Sequence, residues 1–158
     1  MPQILAQRAK SPPAQLEGFL AKFTPEVAAA ARDALARMRK RWPGAIELVY
    51  DNYNALAIGF APTERASDVI FSIAVYPKWV SLFLFGGQKL KDPKKLLKGS
   101  GNTVRHIVLT DGAATLDDPD VRALMNQCLK IADPPLDAKQ KYRLIIKSIS
   151  AKQRPRRP

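Results

Sequence analysis

The residue types that most often carry acid–base or metal chemistry are scarce in this chain. His106 is the only histidine and Cys128 the only cysteine among 158 residues. One residue of each kind cannot supply the ligands of a zinc finger, and no nucleophile-elbow motif is present. We interpret His106 as a structural histidine and Cys128 as a buried, unreactive thiol. The sequence therefore favours a protein that binds a ligand without catalysis. An enzyme that uses His106 for acid–base catalysis is the third hypothesis, and the sequence does not identify a cofactor.

A glycine-rich loop before His106 is the first candidate binding site. Its glycines, Gly99 and Gly101, would allow backbone amides to converge on an anion. Arg105 would supply charge there, and His106 a hydrogen-bond donor or a metal ligand. A plain turn is the competing interpretation, because the ending of a phosphate-binding Walker loop is missing. The predicted ligand-binding residues of this loop are Gly99, Ser100, Gly101, Asn102, Arg105 and His106.

A second candidate is the turn between two predicted strands near position 52. The run Tyr50-Asp51-Asn52-Tyr53-Asn54 is dense in hydrogen-bonding groups and in residues that tolerate left-handed backbone. We expect Tyr50, Asp51 and Tyr53 to contact a small anion or a metal together with the Gly99–His106 loop. A turn without any ligand is again the alternative.

Positive charge is in large excess and is unevenly spread. The chain has 26 Lys and Arg against 14 Asp and Glu, a formal net charge of +12. Much of the excess lies in a central connection and in the last eight residues. Such segments attract phosphates, so nucleic-acid binding is the alternative function, and solubility is the plainer explanation. The candidate contacts are Lys89, Lys91, Lys94, Lys95 and Lys98 in the connection, and Lys152, Arg154, Arg156 and Arg157 in the tail.

Composition also narrows the class of protein. A single cysteine excludes an internal disulfide, which favours a reducing compartment. No apolar run approaches the ~20 residues that cross a bilayer. Polar residues such as Gln3 and Arg8 interrupt the N-terminus, where a secretory signal would need an apolar stretch. We therefore expect a cytoplasmic protein without membrane contact, and its oligomeric state is not indicated.

Helix and strand signals follow one another in an order typical of the α+β class. We expect a flexible arm at residues 1–13, one domain at 14–150 and a basic C-terminal tail at 151–158. Helical patterns cover residues 16–23, 24–42 and 117–132. Strand patterns cover residues 46–50, 55–60, 69–76, 79–85, 104–109 and 142–149.

These patterns predict an antiparallel sheet of five or six strands packed against N-terminal and C-terminal helices. In the second strand, the small residues Ala55, Ala57 and Gly59 alternate with large apolar ones. A helix could approach the sheet closely over that small-residue face.

Distinctive sequence blocks extend through most of the chain. They are Thr24-Pro25-Glu26-Val27, Trp42-Pro43-Gly44-Ala45 and the run from Asp92-Pro93 to Arg105-His106-Ile107. Together, from about Leu16 to Ala132, they resemble the YdhG-like family of bacterial domains of unknown function. The resemblance implies a compact α+β domain related to frataxin-like iron chaperones, and it implies no catalytic residues.

This chain departs from the family in three respects. It adds a strand and a basic tail, Tyr142 to Pro158. Tyr50-Asp51-Asn52-Tyr53 stands where the family tends to have Tyr-Gly-x-Pro. Iron handling usually relies on an acidic surface, whereas this chain is strongly basic. The resemblance therefore indicates the fold more strongly than it indicates the ligand.

Overall fold

The computed structural model describes residues 10–158, so most of the predicted N-terminal arm lies outside the described residues. The first helix, α1, spans Pro12–Leu20. Ser11 caps it, because its side chain accepts a hydrogen bond from a backbone N–H of the first turn. Pro12 and Pro13 thus begin the helix instead of ending the arm, since the fixed φ of proline suits a first turn.

Two longer helices confirm the predictions made from their capping residues. Helix α2 spans Pro25–Arg41 and is capped by Thr24. Helix α3 spans Pro119–Ile131, and the carboxylate of Asp118 accepts backbone hydrogen bonds at its start. Within residues 10–158, no helix is both long enough and apolar enough to cross a membrane.

Six strands form one sheet, which confirms the α+β class. They are β1 (Ile46–Asp51), β2 (Leu56–Ala61), β3 (Phe71–Val75), β4 (Val80–Phe85), β5 (Val104–Val108) and β6 (Leu144–Ile149). Their order across the sheet is β5-β4-β3-β2-β1-β6, and β1 to β5 are antiparallel neighbours as predicted. Strand β6 is parallel to β1, which differs from the expected antiparallel sheet. After α3 the chain returns to the end of the sheet where β1 begins, so β6 runs in the same direction.

Among residues 10–158, the helices cover one face of the sheet, and they leave the opposite face open over β3, β4 and the start of β2. Large side chains of β2, including Ile58 and Phe60, join the core cluster beneath the helices. Ala57 and Gly59 alternate with them and project to the other face. In the described part of the chain, the α-helices pack on the other face and not on this small-residue face, which corrects our expectation. Val69 packs over Gly59 instead, and a Cβ on Gly59 would lie 3.0 Å from a Val69 methyl.

Candidate functional site: an aromatic groove on the open sheet face

Aromatic side chains gather on the open face of the sheet. Strand pairing sets Phe83 of β4 opposite Ser72 of β3 and opposite His106 of β5. Directly paired residues project to the same face. Phe85 follows on that face by alternation, while the leucines of β4 are buried beneath the helices. With the rings of two adjoining turns they form a set that we call the aromatic face: Tyr53, Tyr76, Trp79, Phe83, Phe85 and His106.

Two pairs of stacked rings lie on the aromatic face, and part of this face is exposed to solvent. Tyr76 and Trp79 stack across the β3–β4 turn, with ring centroids 4.7 Å apart and planes inclined by 17°. Phe83 and His106 stack with centroids 5.2 Å apart. Trp79 remains 44% exposed. Clustered exposed rings of this kind often mark a binding surface.

A groove of about 530 Å³ crosses the aromatic face. Its floor is low because Ala57, Ser72 and Ala74 carry small side chains, and Phe83 and Phe85 stand beside it. The other lining residues are Asn52, Tyr53, Asn54, Ala55, Tyr76 and Ser150. Among the described residues, none that lines the groove carries a charge. The shape and lining suit a flat, uncharged ring.

Three cationic side chains lie next to residues of the aromatic face, and none of them lines the groove itself. Lys98 and His106 exchange two backbone hydrogen bonds of 2.9 Å, which places Lys98 on the side of the aromatic face. Lys78 is exposed in the turn that carries Trp79. The guanidinium of Arg154 lies 5.6 Å from the ring centroid of Tyr53. A ligand with anionic groups outside its flat part would meet complementary charge here.

The C-terminal segment is packed against the sheet rather than extended as a free tail. Arg156 is 6% exposed, and its Nη2 donates to Asp51 Oδ1 at 2.8 Å. Arg154 N donates to Tyr53 O at 2.9 Å. Arg157 donates to the carbonyl of Lys22 and stays exposed. Arg156 is therefore not available to an outside phosphate, which corrects our expectation for this residue of the tail.

Arg105 is hydrogen-bonded to the backbone of its own loop, residues 99–106. Arg105 Nη1 donates to the carbonyl oxygens of Gly101 and Val104, and its Cβ packs against Gly87. Gly99 has φ +107°, a conformation that favours glycine. Arg105 and His106 project to opposite faces of the sheet, as strand alternation predicted. Of the loop's predicted ligand-binding residues, only His106 reaches the aromatic face.

The two predicted ligand-binding segments do not form one site. The turn after Tyr50 lies at one end of the sheet, and the Gly99–Asn102 turn at the other, with β2, β3 and β4 between. Four strand spacings separate β1 from β5 by roughly 19 Å. Asp51 is buried and paired, and burial also raises the pKa of Tyr50 above its usual value. Tyr53 is the one predicted residue of this turn that lines the groove.

The lysine-rich connection borders the aromatic face only at its end. The carboxylate of Asp92 accepts hydrogen bonds from the backbone of Leu96 and Leu97, which folds the segment into a turn. Its leucines pack against the core and its lysines are exposed. Nucleic-acid contact by Lys89, Lys91, Lys94 and Lys95 stays a prediction, and Lys98 adjoins His106.

The described part of the chain contains no preformed cluster of metal-ligating side chains. No group of three or more His, Cys, Asp or Glu side chains is placed to hold a metal ion between residues 10 and 158. His106 is instead stacked on Phe83. The metal hypothesis for the Gly99–His106 loop therefore has no supporting contact within these residues.

Cys128 is expected to resist thiol reagents while the protein is folded. Its side chain is 1% exposed, as predicted, and burial raises the pKa of the thiol to about 12. The reactive thiolate is therefore scarce at about pH 9, where an exposed cysteine is largely ionised. A chromogenic disulfide reagent at that pH should react stoichiometrically only after denaturant is added. Rapid reaction of the native protein would contradict this assignment.

Sequence reasoning missed the aromatic face, although β4 carried a signal for it. Trp79, Phe83 and Phe85 occupy alternate positions, so they share one face of the strand. The even-numbered positions between them, Val80, Leu82 and Leu84, are also apolar, which hides the usual contrast between inner and outer residues. Strand β4 was therefore predicted, but its exposed face was not.

Comparison with known proteins adds no relative. No family model, no curated protein and no solved structure matches the chain. Membership of the YdhG-like family accordingly stays a prediction.

Proposed function

We propose that this protein binds single-stranded nucleic acid on its aromatic face. The observation that carries the proposal is a neutral groove flanked by aromatic side chains, with cations next to the aromatic face, in a chain of net charge +12. Unpaired bases stack on aromatic rings, and phosphates pair with surrounding lysines and arginines. The proposal moves the main contact from the tail and the lysine-rich connection to the aromatic face, and it keeps Arg154 and Lys98 as neighbouring cations.

The spacing of the rings supports a single-stranded ligand. Phe83 and Phe85 are two positions apart on β4, so their side chains are separated by about 7 Å. That is about twice the ~3.4 Å rise between stacked bases in a duplex. Bases resting on these two rings would be splayed apart, which a single strand permits and a duplex does not.

The helices and the aromatic rings lie on different sides of the sheet. Leu16 and Leu20 of α1 and Leu35 and Met38 of α2 are buried in the core cluster on the far side. The rings on the near side offer flat surfaces, which suit unpaired bases better than a duplex, whose bases are already stacked on one another.

The small-anion hypothesis is less well supported. Arg105, the residue expected to supply charge, is engaged by carbonyl groups of its own loop. The backbone N–H groups of Lys98 and His106 are already hydrogen-bonded to each other's carbonyls. We retain a small anion as an outcome of the test below rather than as a second proposal.

Fluorescence anisotropy with labelled oligothymidine of about 12 nucleotides tests the proposal. We expect micromolar or tighter binding near physiological salt, and binding at least about tenfold weaker to a duplex of the same length. Phosphate contacts by Lys78, Lys98 and Arg154 would give log Kd a slope of about 2 against log salt, and Lys98→Gln should lower that slope by about 0.7.

Three results would contradict the proposal. Equal affinity for the duplex would indicate non-specific attraction to phosphate. Loss of all binding at a modestly raised salt concentration would indicate that the positive charge of the chain serves solubility. Inorganic phosphate that displaces the oligonucleotide at low millimolar concentration would favour the small-anion hypothesis instead.

A further inference from the structure

The C-terminal segment meets the groove at the turn that carries Tyr53, and we propose that Arg156 is a positioning residue for this end of the aromatic face. We call residues 150–156 the C-terminal latch. The inference rests on the proposed function, because it assigns to Arg156 an effect on how that same site binds its ligand.

Arg156 joins three parts of the fold at one buried point. Its Nη2 donates to Asp51 Oδ1 at 2.8 Å and to Asn52 O at 2.6 Å. The side chains of the ion pair are 4% and 1% exposed. The guanidinium also lies 5.6 Å from the ring centroid of Phe23, which sits between α1 and α2. The residue therefore ties the end of β1 and the turn after it to the helical layer.

The latch holds the backbone and the ring of Tyr53. Arg154 N donates to Tyr53 O at 2.9 Å, and its guanidinium stands over the Tyr53 ring. Ser150 N donates to Asp51 O at 2.8 Å. Within the turn itself, Asn52 N bonds to Ala55 O. Tyr53, which is 48% exposed, thus depends on the latch for much of its fixed position.

The Arg156–Asp51 ion pair fixes the geometry of the turn after β1 more than it stabilises the fold. Among the described residues, Asp51 Oδ2 and Arg156 Nε are both buried without a hydrogen-bond partner. The pair therefore makes one of the two bonds that a carboxylate and a guanidinium can share. Buried ion pairs contribute little net stability, and unbonded polar atoms reduce it further. We infer that the main effect of the Arg156–Asp51 pair is to hold the turn beside the groove in place.

Arg157 provides a matched control for charge. It follows Arg156 directly, is exposed, and contacts the carbonyl oxygens of Lys22 and Ala21 away from the Tyr53 turn. Arg156→Gln and Arg157→Gln each remove one positive charge from the same segment. If the segment acts only through its charge, the two variants bind oligothymidine equally.

Anisotropy on the full chain separates the two roles. We expect Arg156→Gln to weaken oligothymidine binding by about tenfold and Arg157→Gln by less than about twofold, because only the first releases a stacking ring. Arg156→Lys should recover part of the affinity, since a lysine can still reach Asp51. Equal losses for the two glutamine variants would overturn the inference.

A double-mutant cycle with Tyr53→Ala distinguishes positioning from general destabilisation. In the Tyr53→Ala background, Arg156→Gln should cost less than about twofold, since the ring that it positions is gone. A general loss of fold would weaken binding equally in both backgrounds, and that result would overturn the inference. Comparing the affinity loss caused by Arg156→Gln with and without the Tyr53 ring therefore remains informative even if Arg156→Gln lowers the stability of the fold.

Amide hydrogen exchange tests the latch without any ligand. Arg156→Gln should speed exchange at Asn52 and Arg154, whose backbone N–H groups bond within the latched turn, and leave β3 and β4 unchanged. Unchanged exchange would overturn the inference. If the unmodified chain binds no oligonucleotide, the proposed function fails. If the chain binds and the two glutamine variants match, only the role of Arg156 fails.

Discussion

Replacing Trp79 by leucine is expected to weaken binding of single-stranded DNA by about tenfold, and replacing Phe83 as well should bring the loss to about a hundredfold. Each base–aromatic stack contributes ~1–3 kcal/mol, and leucine keeps apolar volume without a flat ring. Trp79 is 44% exposed, so the fold should tolerate the change. Anisotropy with oligothymidine at fixed salt measures the effect.

Tyr142 supplies the control for these variants. It is also an exposed aromatic residue, at 39%, but it borders a different groove between α1, α2 and β6. Tyr142→Leu should leave the affinity within about twofold, because no base stacks there under this account. If Tyr142→Leu and Trp79→Leu weaken binding equally, the effect is not specific to the aromatic face.

Replacing Arg39 by methionine is expected to lower the free energy of unfolding by about 3 kcal/mol, the lower end of the range for breaking a buried pair. Arg39 donates two hydrogen bonds, of 2.7 and 2.8 Å, to the carboxylate of Glu47. Those bonds raise the pKa of the guanidinium above its usual value. Glu47 is fully buried, so the variant leaves an unpaired carboxylate in the core. Water still reaches Arg39, which limits the loss.

Urea denaturation of the full chain measures that loss, with Arg32→Met as the control. Arg32 pairs with Glu17 at 3.0 Å, but both side chains are largely in solvent. Exposed pairs contribute less than about 1 kcal/mol, so Arg32→Met should change stability little. Equal destabilisation by the two variants would mean that the buried pair is no more important than the surface one.

Local signals predicted most of the elements of this fold. Thr24 and Asp118 stand at helix starts because a short oxygen-bearing side chain satisfies the first backbone N–H groups. The hairpin of β3 and β4 followed from two apolar runs separated by Pro77-Lys78. These features depend on residues within a few positions of one another, which is why the sequence reveals them.

Features that depend on distant contacts could not be predicted in this way. The hydrogen bond between Arg156 and Asp51 joins residues 105 positions apart, and no local pattern marks either as a partner. The direction of β6 depends on where the chain after α3 rejoins the sheet. Which side of β2 is exposed depends on which face the helices cover. Alternation along the strand assigns residues to two faces but does not say which of the two is buried.

The candidate site was only partly foreseen for the same reason. Tyr53 and His106 were selected for their chemistry and both belong to the aromatic face, yet they were assigned to an anion site with Arg105. Phe85 and Trp79 were interpreted as strand residues because apolar side chains usually pack inward. Their exposure becomes evident only when the strand pairing is known.

Chemical-shift mapping of the backbone amides and the indole N–H groups during an oligothymidine titration tests the central claim most directly. We predict the largest changes at the indole N–H of Trp79 and at the amides of Tyr53, Phe83 and His106, with smaller changes in α2 and α3. Changes confined to the Gly99–Asn102 turn, with the aromatic face unaffected, would contradict the account and place the ligand at the loop instead.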